Sequence, residues 1–243
     1  MFRALTTSNS RFAALMWLWA CLIVSPLAWG GKEPPLDAIT FHAEPGRLYV
    51  PLDEAAPQLR WPVVRDESGR VQSVNGRSVA PDGLRTLVDG RPLASLRDLE
   101  SWGATVAASP DGRSAVVRRT WFDFSLAAGA QRVEIDRGRQ RLTAWQGNRL
   151  VLQTRISSGK HGSTPAGQFR AGPYRARMHY SSRYHNAPMP WSVQIHGHVF
   201  VHGFTSVPDY PASHGCIRLP LTEGNPARFF YEWVHRGTPV RIL

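Results

Sequence analysis

Lysine is almost missing from this chain. Only Lys32 and Lys160 occur among 29 basic residues, so the other 27 are arginines. Cysteine is as scarce, with Cys21 and Cys216 alone, and Cys21 sits in an apolar N-terminal stretch. If that stretch is removed, one thiol remains. A lone thiol makes no internal disulfide and is either a small buried hydrophobe or a nucleophile. Acidic residues are outnumbered 18 to 29, which leaves a formal net charge of +11 and an isoelectric point near 10.7. No nucleic-acid-binding signature accompanies that charge, and the arginines are scattered, so nucleic acid is not expected as a partner. The charge reads as a solvated basic surface or as attraction to an anionic polymer. Apolar runs long enough to approach a membrane span are confined to the N-terminus. There is no lysin-motif-like repeat and no long Ser/Thr-rich stalk.

What is present reads as globular. Hydrophobic residues make up 42% and charged residues 19% of 243 positions, enough for one large domain or two modest ones. Arg3 and Arg11 precede an apolar run from Phe12 to Ala28 that ends in Ala28-Trp29-Gly30. A positive start, an apolar middle and small residues near the end predict a secretory signal over residues 1–30. The run is short for a spanning helix, so a membrane association is expected only if the signal stays uncleaved. Lys32 to Phe41 reads as a linker.

Residues 41–120 nearly repeat themselves. Tyr49-Val50-Pro51-Leu52-Asp53-Glu54-Ala55 is echoed by Leu93-Ala94-Ser95-Leu96-Arg97-Asp98-Leu99, and Asp66-Glu67-Ser68-Gly69-Arg70 by Ser109-Pro110-Asp111-Gly112-Arg113. Each copy predicts a strand, a helix and two strands around a glycine turn, giving a small α+β module. The second copy resembles the small domain named after the N-terminal region of copper amine oxidases, a module of secreted bacterial proteins. Gly103-Ala104 has no counterpart in the first copy. His42 is the lone histidine between the signal and the C-terminal half, so no copper site is expected. A spacer, a folding partner and a wall- or partner-binding element all remain open for this module.

Residues 131–243 predict a mainly β unit with one C-terminal helix. Val133-Glu134-Ile135-Asp136, Arg141 to Trp145 and Leu150 to Ile156 alternate as strands, and Leu126 to Gln131 reads as a hinge before them. Asn225 caps the helix, Pro226 opens it and Gly237 follows its last turn. Ala227, Phe230, Tyr231 and Val234 then fall on one buried face. His196, His198 and His202 would share a face of one straight strand and, with Cys216, would form a zinc-like set. Gly197 reads instead as a hairpin tip, which leaves His196 and His198 as exposed turn residues and no metal expected.

The chemistry concentrates in Pro211-Ala212-Ser213-His214-Gly215-Cys216-Ile217-Arg218-Leu219-Pro220. Gly215 permits a tight turn beside the thiol, and His214 and Arg218 supply positive surroundings expected to favour thiolate. Backbone amides around Gly215 and Cys216 are the natural oxyanion donors. Arg218 either holds the loop or meets a substrate carboxylate.

Together with His202-Gly203, this stretch resembles the signature of the L,D-transpeptidase catalytic domain, the YkuD family. That signature runs His-Gly, a variable loop, then Ser-His-Gly-Cys, an apolar residue and Arg or Asn. Arg139-Gln140-Arg141-Leu142, Ser158-Gly159-Lys160, Thr164-Pro165-Ala166-Gly167-Gln168-Phe169, Met189-Pro190-Trp191 and Gly237-Thr238-Pro239-Val240 follow the family's order as well. The resemblance implies a YkuD-type β-rich catalytic domain in which Cys216 is the nucleophile and His202 its base, steered by a carbonyl expected to be that of Gly203. His214, Ser213, Gly215, Gly203 and Arg218 shape the loop and pocket, and Tyr184, Met189 and Trp191 lie on the substrate side. It implies an exported bacterial enzyme of the periplasm or cell envelope, acting on peptidoglycan stem peptides without a cofactor and acylated by carbapenem-type inhibitors. A carboxypeptidase or amide hydrolase using water, and an inactive peptidoglycan-binding protein, remain the alternatives. The acyl acceptor and the oligomeric state are not legible.

Overall fold

The structure is a computed structural model that describes residues 33–243; the expected signal segment and Cys21 lie outside the described residues. The N-terminal part is built from the same sequence of elements twice. Strand Glu44–Pro51 leads into helix Leu52–Gln58 and strands Val63–Arg65 and Val71–Val74; strand Pro92–Ser95 leads into helix Leu96–Ser101 and strands Thr105–Ala108 and Ser114–Arg119. The two lead strands pair antiparallel, Tyr49 opposite Ser95 and Pro51 opposite Leu93. The echoed turns share their chemistry: Asp66 Oδ1 accepts from Arg70 N and Asp111 Oδ1 from Arg113 N, while Gly69 and Gly112 supply the positive φ. The two helices start differently. Ser95 and Asp98 form a reciprocal capping box, whereas the helix at Leu52 follows Pro51 without a side-chain cap.

Two expectations for this part are corrected. The stretch read as a linker contributes strands: Ile39–Phe41 pairs with Glu44–Pro51, and Leu36–Asp37 runs parallel to Phe122–Ala127. Nor is 126–131 a free hinge, since Leu126 and Ala127 end a strand and a Cβ on Gly129 would meet Gly147 N at 2.7 Å. Both segments are held because their apolar side chains have a core to enter.

The C-terminal half is mainly β with one helix. A five-stranded sheet runs in the order Arg149–Arg155, Arg141–Gln146, Gln131–Asp136, Pro239–Ile242, Gly167–Arg170. Gln131–Asp136, Arg141–Gln146 and Pro239–Ile242 alternate buried with more exposed residues, so Val133, Ile135, Leu142, Ala144 and Val240 all face inward. The final strand enters parallel to Gln131–Asp136, with Val133 beside Val240. A second, four-stranded sheet runs Arg175–Ser181, Ala187–His196, Val199–Phe204, Ile217–Pro220 and holds His202, with Cys216 just before its last strand. Helix Pro226–Trp233 buries Ala227, Phe229, Phe230 and Trp233 in the same core. It stops at Trp233, earlier than Gly237 suggests, because Val234 turns to extended backbone with its side chain still buried. Asn225 does cap it, accepting from Arg228 N at 3.0 Å.

The N-terminal part closes this core. Ile39, Phe41, Tyr49, Leu87 and Leu93 belong to the same buried cluster as Phe229, Phe230 and Trp233. Phe41 stacks edge-on against Tyr49 and Phe229 under the Arg85 guanidinium. Arg85 itself bridges Glu44 and Glu232, one carboxylate from each half. Buried Gln131 satisfies both ends of its amide, donating to Trp233 O and accepting from His235 N and Thr238 Oγ1.

Candidate active site

Strand Val199–Phe204 delivers His202, and the neighbouring parallel strand starts one residue after Cys216, placing His202 beside Arg218. The loop before Cys216 is held from outside by the motif residues that carry no chemistry. Ser158 O accepts from Ala212 N and Ser213 N, and Lys160 N donates back to Ser213 O at 2.9 Å. Thr164 Oγ1 donates to Gly215 O and accepts from Gly159 N, both at 2.8 Å. Gln140 clamps Ser158 from behind through both amide ends. These bonds leave little room: a Cβ on Gly159 would lie 2.8 Å from Gly215 Cα, and one on Gly215, at φ +139°, would press on Ser163 O at 3.2 Å. Ser213 Oγ tightens the turn, donating to Cys216 O and accepting from Gly215 N at 3.0 Å. The Gly215 amide is therefore engaged, and the expectation that it serves as a free oxyanion donor is corrected.

His202 is 4% exposed, and its Nδ1 lies 2.8 Å from Gly203 O. A carbonyl only accepts, so Nδ1 carries the proton and Nε2 keeps its lone pair. Gly203 is tight for a second reason, because a Cβ there would run into the Leu221 side chain. Burial pulls the His202 pKa from 6.5 to about 4; the Gly203 carbonyl opposes the shift, and the charges of Arg218 and His179 add to it. The ring is neutral at any working pH above that value.

The unfolded chain binds a proton on His202 near pH 6.5 and the folded chain only near 4, so stability falls as pH drops between those values. His42 and His235, also lowered by burial, act with the same sign. The carboxylates Glu44 and Glu232 are lowered against burial, Glu44 by its Tyr49 hydrogen bond and Arg85, Glu232 by Arg228 and Arg85, and lose their contribution only at lower pH. Denaturant titrations at pH 7 and pH 4.5 are expected to differ by about 2 kcal/mol more in the native chain than in His202→Gln. An equal acid loss in both would show that His202 does not titrate in this way.

Cys216 departs from its sequence-based expectation. Burial pushes the thiol up, with the Phe200 backbone amide and the Arg218 charge only partly opposing it. Its hydrogen bond runs to His198 O at 3.5 Å rather than to an imidazole. The resting pair is thus a neutral thiol and a neutral imidazole, because desolvation outweighs the nearby positive charge. Arg218 is half-buried with its guanidinium over the Phe204 ring, 4.0 Å from the centroid.

A cavity of about 210 Å³ opens at the thiol. Tyr184 and Met189 line it, as does His214, whose exposed ring stacks on Tyr184 at 4.5 Å. Trp191 does not line it. Its φ of +57° breaks the two-residue alternation with Met189, and its ring turns to Tyr231 and Arg228 on the helix. Sequence reasoning missed His179, Arg183 and the His198 carbonyl on the cavity wall. His196 and His198 do flank a turn at Gly197 with exposed side chains, but the main chain there faces the thiol. No residue type signals a main-chain contact. Among the described residues no group of three or more His, Cys, Asp or Glu side chains is arranged to hold a metal ion, and no helix is long and apolar enough to cross a membrane.

Residues 130–242 match the family model described as the L,D-transpeptidase catalytic domain, YkuD. Solved structures similar to the chain include an L,D-transpeptidase from Xylanimonas cellulosilytica at 31% identity, covering 48% of this chain and 62% of that one, TM-score 0.42. An L,D-transpeptidase from Stackebrandtia nassauensis aligns at 21% identity over 48% of this chain and 57% of that one, TM-score 0.42. One from Mycobacterium tuberculosis H37Rv aligns at 18% identity over 54% and 65%, TM-score 0.42. The chain thus spans about three fifths of the length of these structures. No curated protein matches it.

Proposed function

We propose that the L,D-transpeptidase catalytic domain at residues 130–242 acts as an exported cysteine acyltransferase on peptidoglycan tetrapeptide stems. The observation that carries this reading is the Nδ1 bond of His202 to Gly203 O, which leaves Nε2 as a proton acceptor on the strand beside Cys216. In the first half-reaction the Cys216 sulfur attacks the carbonyl of the diamino residue at position three. His202 Nε2 takes the thiol proton as attack proceeds, the amide bond to D-alanine breaks, and the same proton leaves on the D-alanine amine. The thioester is then attacked by an amine of a neighbouring stem; His202 accepts that proton and returns it to sulfur as the thioester bond breaks. With Gly215 N engaged by Ser213, the developing oxyanion falls to the Cys216 amide and the positive field of Arg218. No metal or organic cofactor enters either step.

A neutral, desolvated thiol suits this route. The thiolate is generated only against the bound carbonyl, so the resting cysteine stays poorly reactive in an exported, oxidising setting. The signal read in residues 1–30 belongs to the same proposal, as does a copper amine oxidase N-terminal-like character for residues 41–120, which serve as a folding partner for the catalytic half.

Incubation with purified tetrapeptide stems is expected to release D-alanine and yield cross-linked dimers, read by mass spectrometry of the muropeptides. Tripeptide without dimer would assign water as acceptor; stems returned unchanged would leave a wall-binding protein. A carbapenem is expected to add once per chain by intact mass and not at all to Cys216→Ala; an adduct on that variant would place the reactive group elsewhere.

A further inference from the structure

The cavity at the thiol carries basic side-chain types and no acidic ones. Arg183, His179, His198 and His214 line it, and no Asp or Glu does. Some arginines of this chain pair with carboxylates: Arg85 takes Glu44 and Glu232, Arg149 takes Glu54, and Arg155 takes Glu223. Arg183, an exposed side chain lining the cavity, has no such partner among the described residues.

Its placement is not left to a loose loop. Residues 182–186 join strands Arg175–Ser181 and Ala187–His196, and at their centre Tyr184 stacks flat on His214, with ring planes 19° apart. His214 is two residues from Cys216 on a loop pinned by Ser158, Lys160 and Thr164. The stack therefore ties the hairpin tip to the rigid thiol loop, and Arg183, adjacent to Tyr184, is held at the cavity rim.

We propose that Arg183 is a specificity-determining residue that binds a carboxylate of the acyl donor, resting on the stem-peptide reading above. Its guanidinium presents a planar fork that matches a carboxylate. A tetrapeptide stem offers two such groups beside the scissile bond, the C-terminal carboxylate of residue four and the free carboxylate on the diamino residue at position three. Either gives the same chemistry, an anion flanking the attacked carbonyl.

Calorimetric binding in a Cys216→Ala background separates the sources without turnover. Three tetrapeptides serve as probes: both carboxylates free, the C-terminus amidated, and the position-three carboxylate amidated. Adding Arg183→Ala is expected to weaken the first about tenfold, with Arg183→Lys in between. One amidated peptide is expected to bind Cys216→Ala as weakly and to lose nothing further with Arg183→Ala, which identifies the group that is read. Equal weakening of all three peptides, or of none, overturns the proposal. Acylation of the native chain is followed separately by intact mass. A peptide that binds with Arg183-dependent affinity but never appears on Cys216 would sink acyl transfer and leave Arg183 as read. No binding by any of the three would sink both.

Discussion

Cys216→Ala is expected to retain the fold and lose turnover by on the order of 10³-fold or more, since no second thiol among the described residues replaces it. The side chain is half-buried and its hydrogen bond to His198 O, at 3.5 Å, is weak, so losing sulfur costs little stability. The pH dependence of the native thiol is the sharper test. Because burial raises the Cys216 pKa and His202 is neutral, iodoacetamide alkylation should rise only through the alkaline range, above the ordinary thiol value. His202→Ala should leave that titration nearly in place while removing turnover, since the imidazole acts on the proton during attack and not on the resting thiol. His214→Ala should weaken stem binding through loss of the Tyr184 stack. A plateau of fast alkylation below neutral pH, lost in His202→Ala, would mean a resting ion pair and a different mechanism.

Phe41→Ala is expected to cost the whole chain about 3–5 kcal/mol, the range for deleting a fully buried aromatic ring. Phe41 has no exposed surface and packs edge-on at 5.4 Å from Tyr49 and 5.6 Å from Phe229, so the cavity opens between the two halves. A chain beginning near residue 130 would lose more. It would uncover Phe229 and Trp233 and strip the Arg85 bridge from Glu232 and the Thr40 bonds from Gln146. Such a fragment is expected to aggregate or lack a cooperative transition, while residues 34–243 unfold in one step that Phe41→Ala shifts downward. Two well-separated transitions in the longer chain, only one of them moved by Phe41→Ala, would refute the shared core.

Much of the catalytic half was legible in the amino-acid order because its determinants are local. Alternating apolar residues mark the strands at Val133 and Leu142, Asn225-Pro226 marks a helix start, and Gly197 marks the turn that separates His196 and His198 from His202. The His202-Gly203 carbonyl contact joins adjacent residues, so it too could be expected from the chain. The doubled strand–helix–hairpin order at residues 49–119 was legible for the same reason, the echoed turns carrying their own hydrogen-bond chemistry. Tertiary structure alone decided the rest. Lys32 to Phe41 looks like a linker until Ile39 and Phe41 find a core some 190 residues away. The last strand enters the sheet parallel beside Gln131–Asp136, a pairing without a local signal. Trp191 leaves the cavity through one positive φ, and His198 reaches the thiol by its main chain. The thiol's direction of shift was decided last and least locally. Neighbouring histidine and arginine argued for thiolate, but the folded chain removes water from both partners, and desolvation outweighs charge at that site.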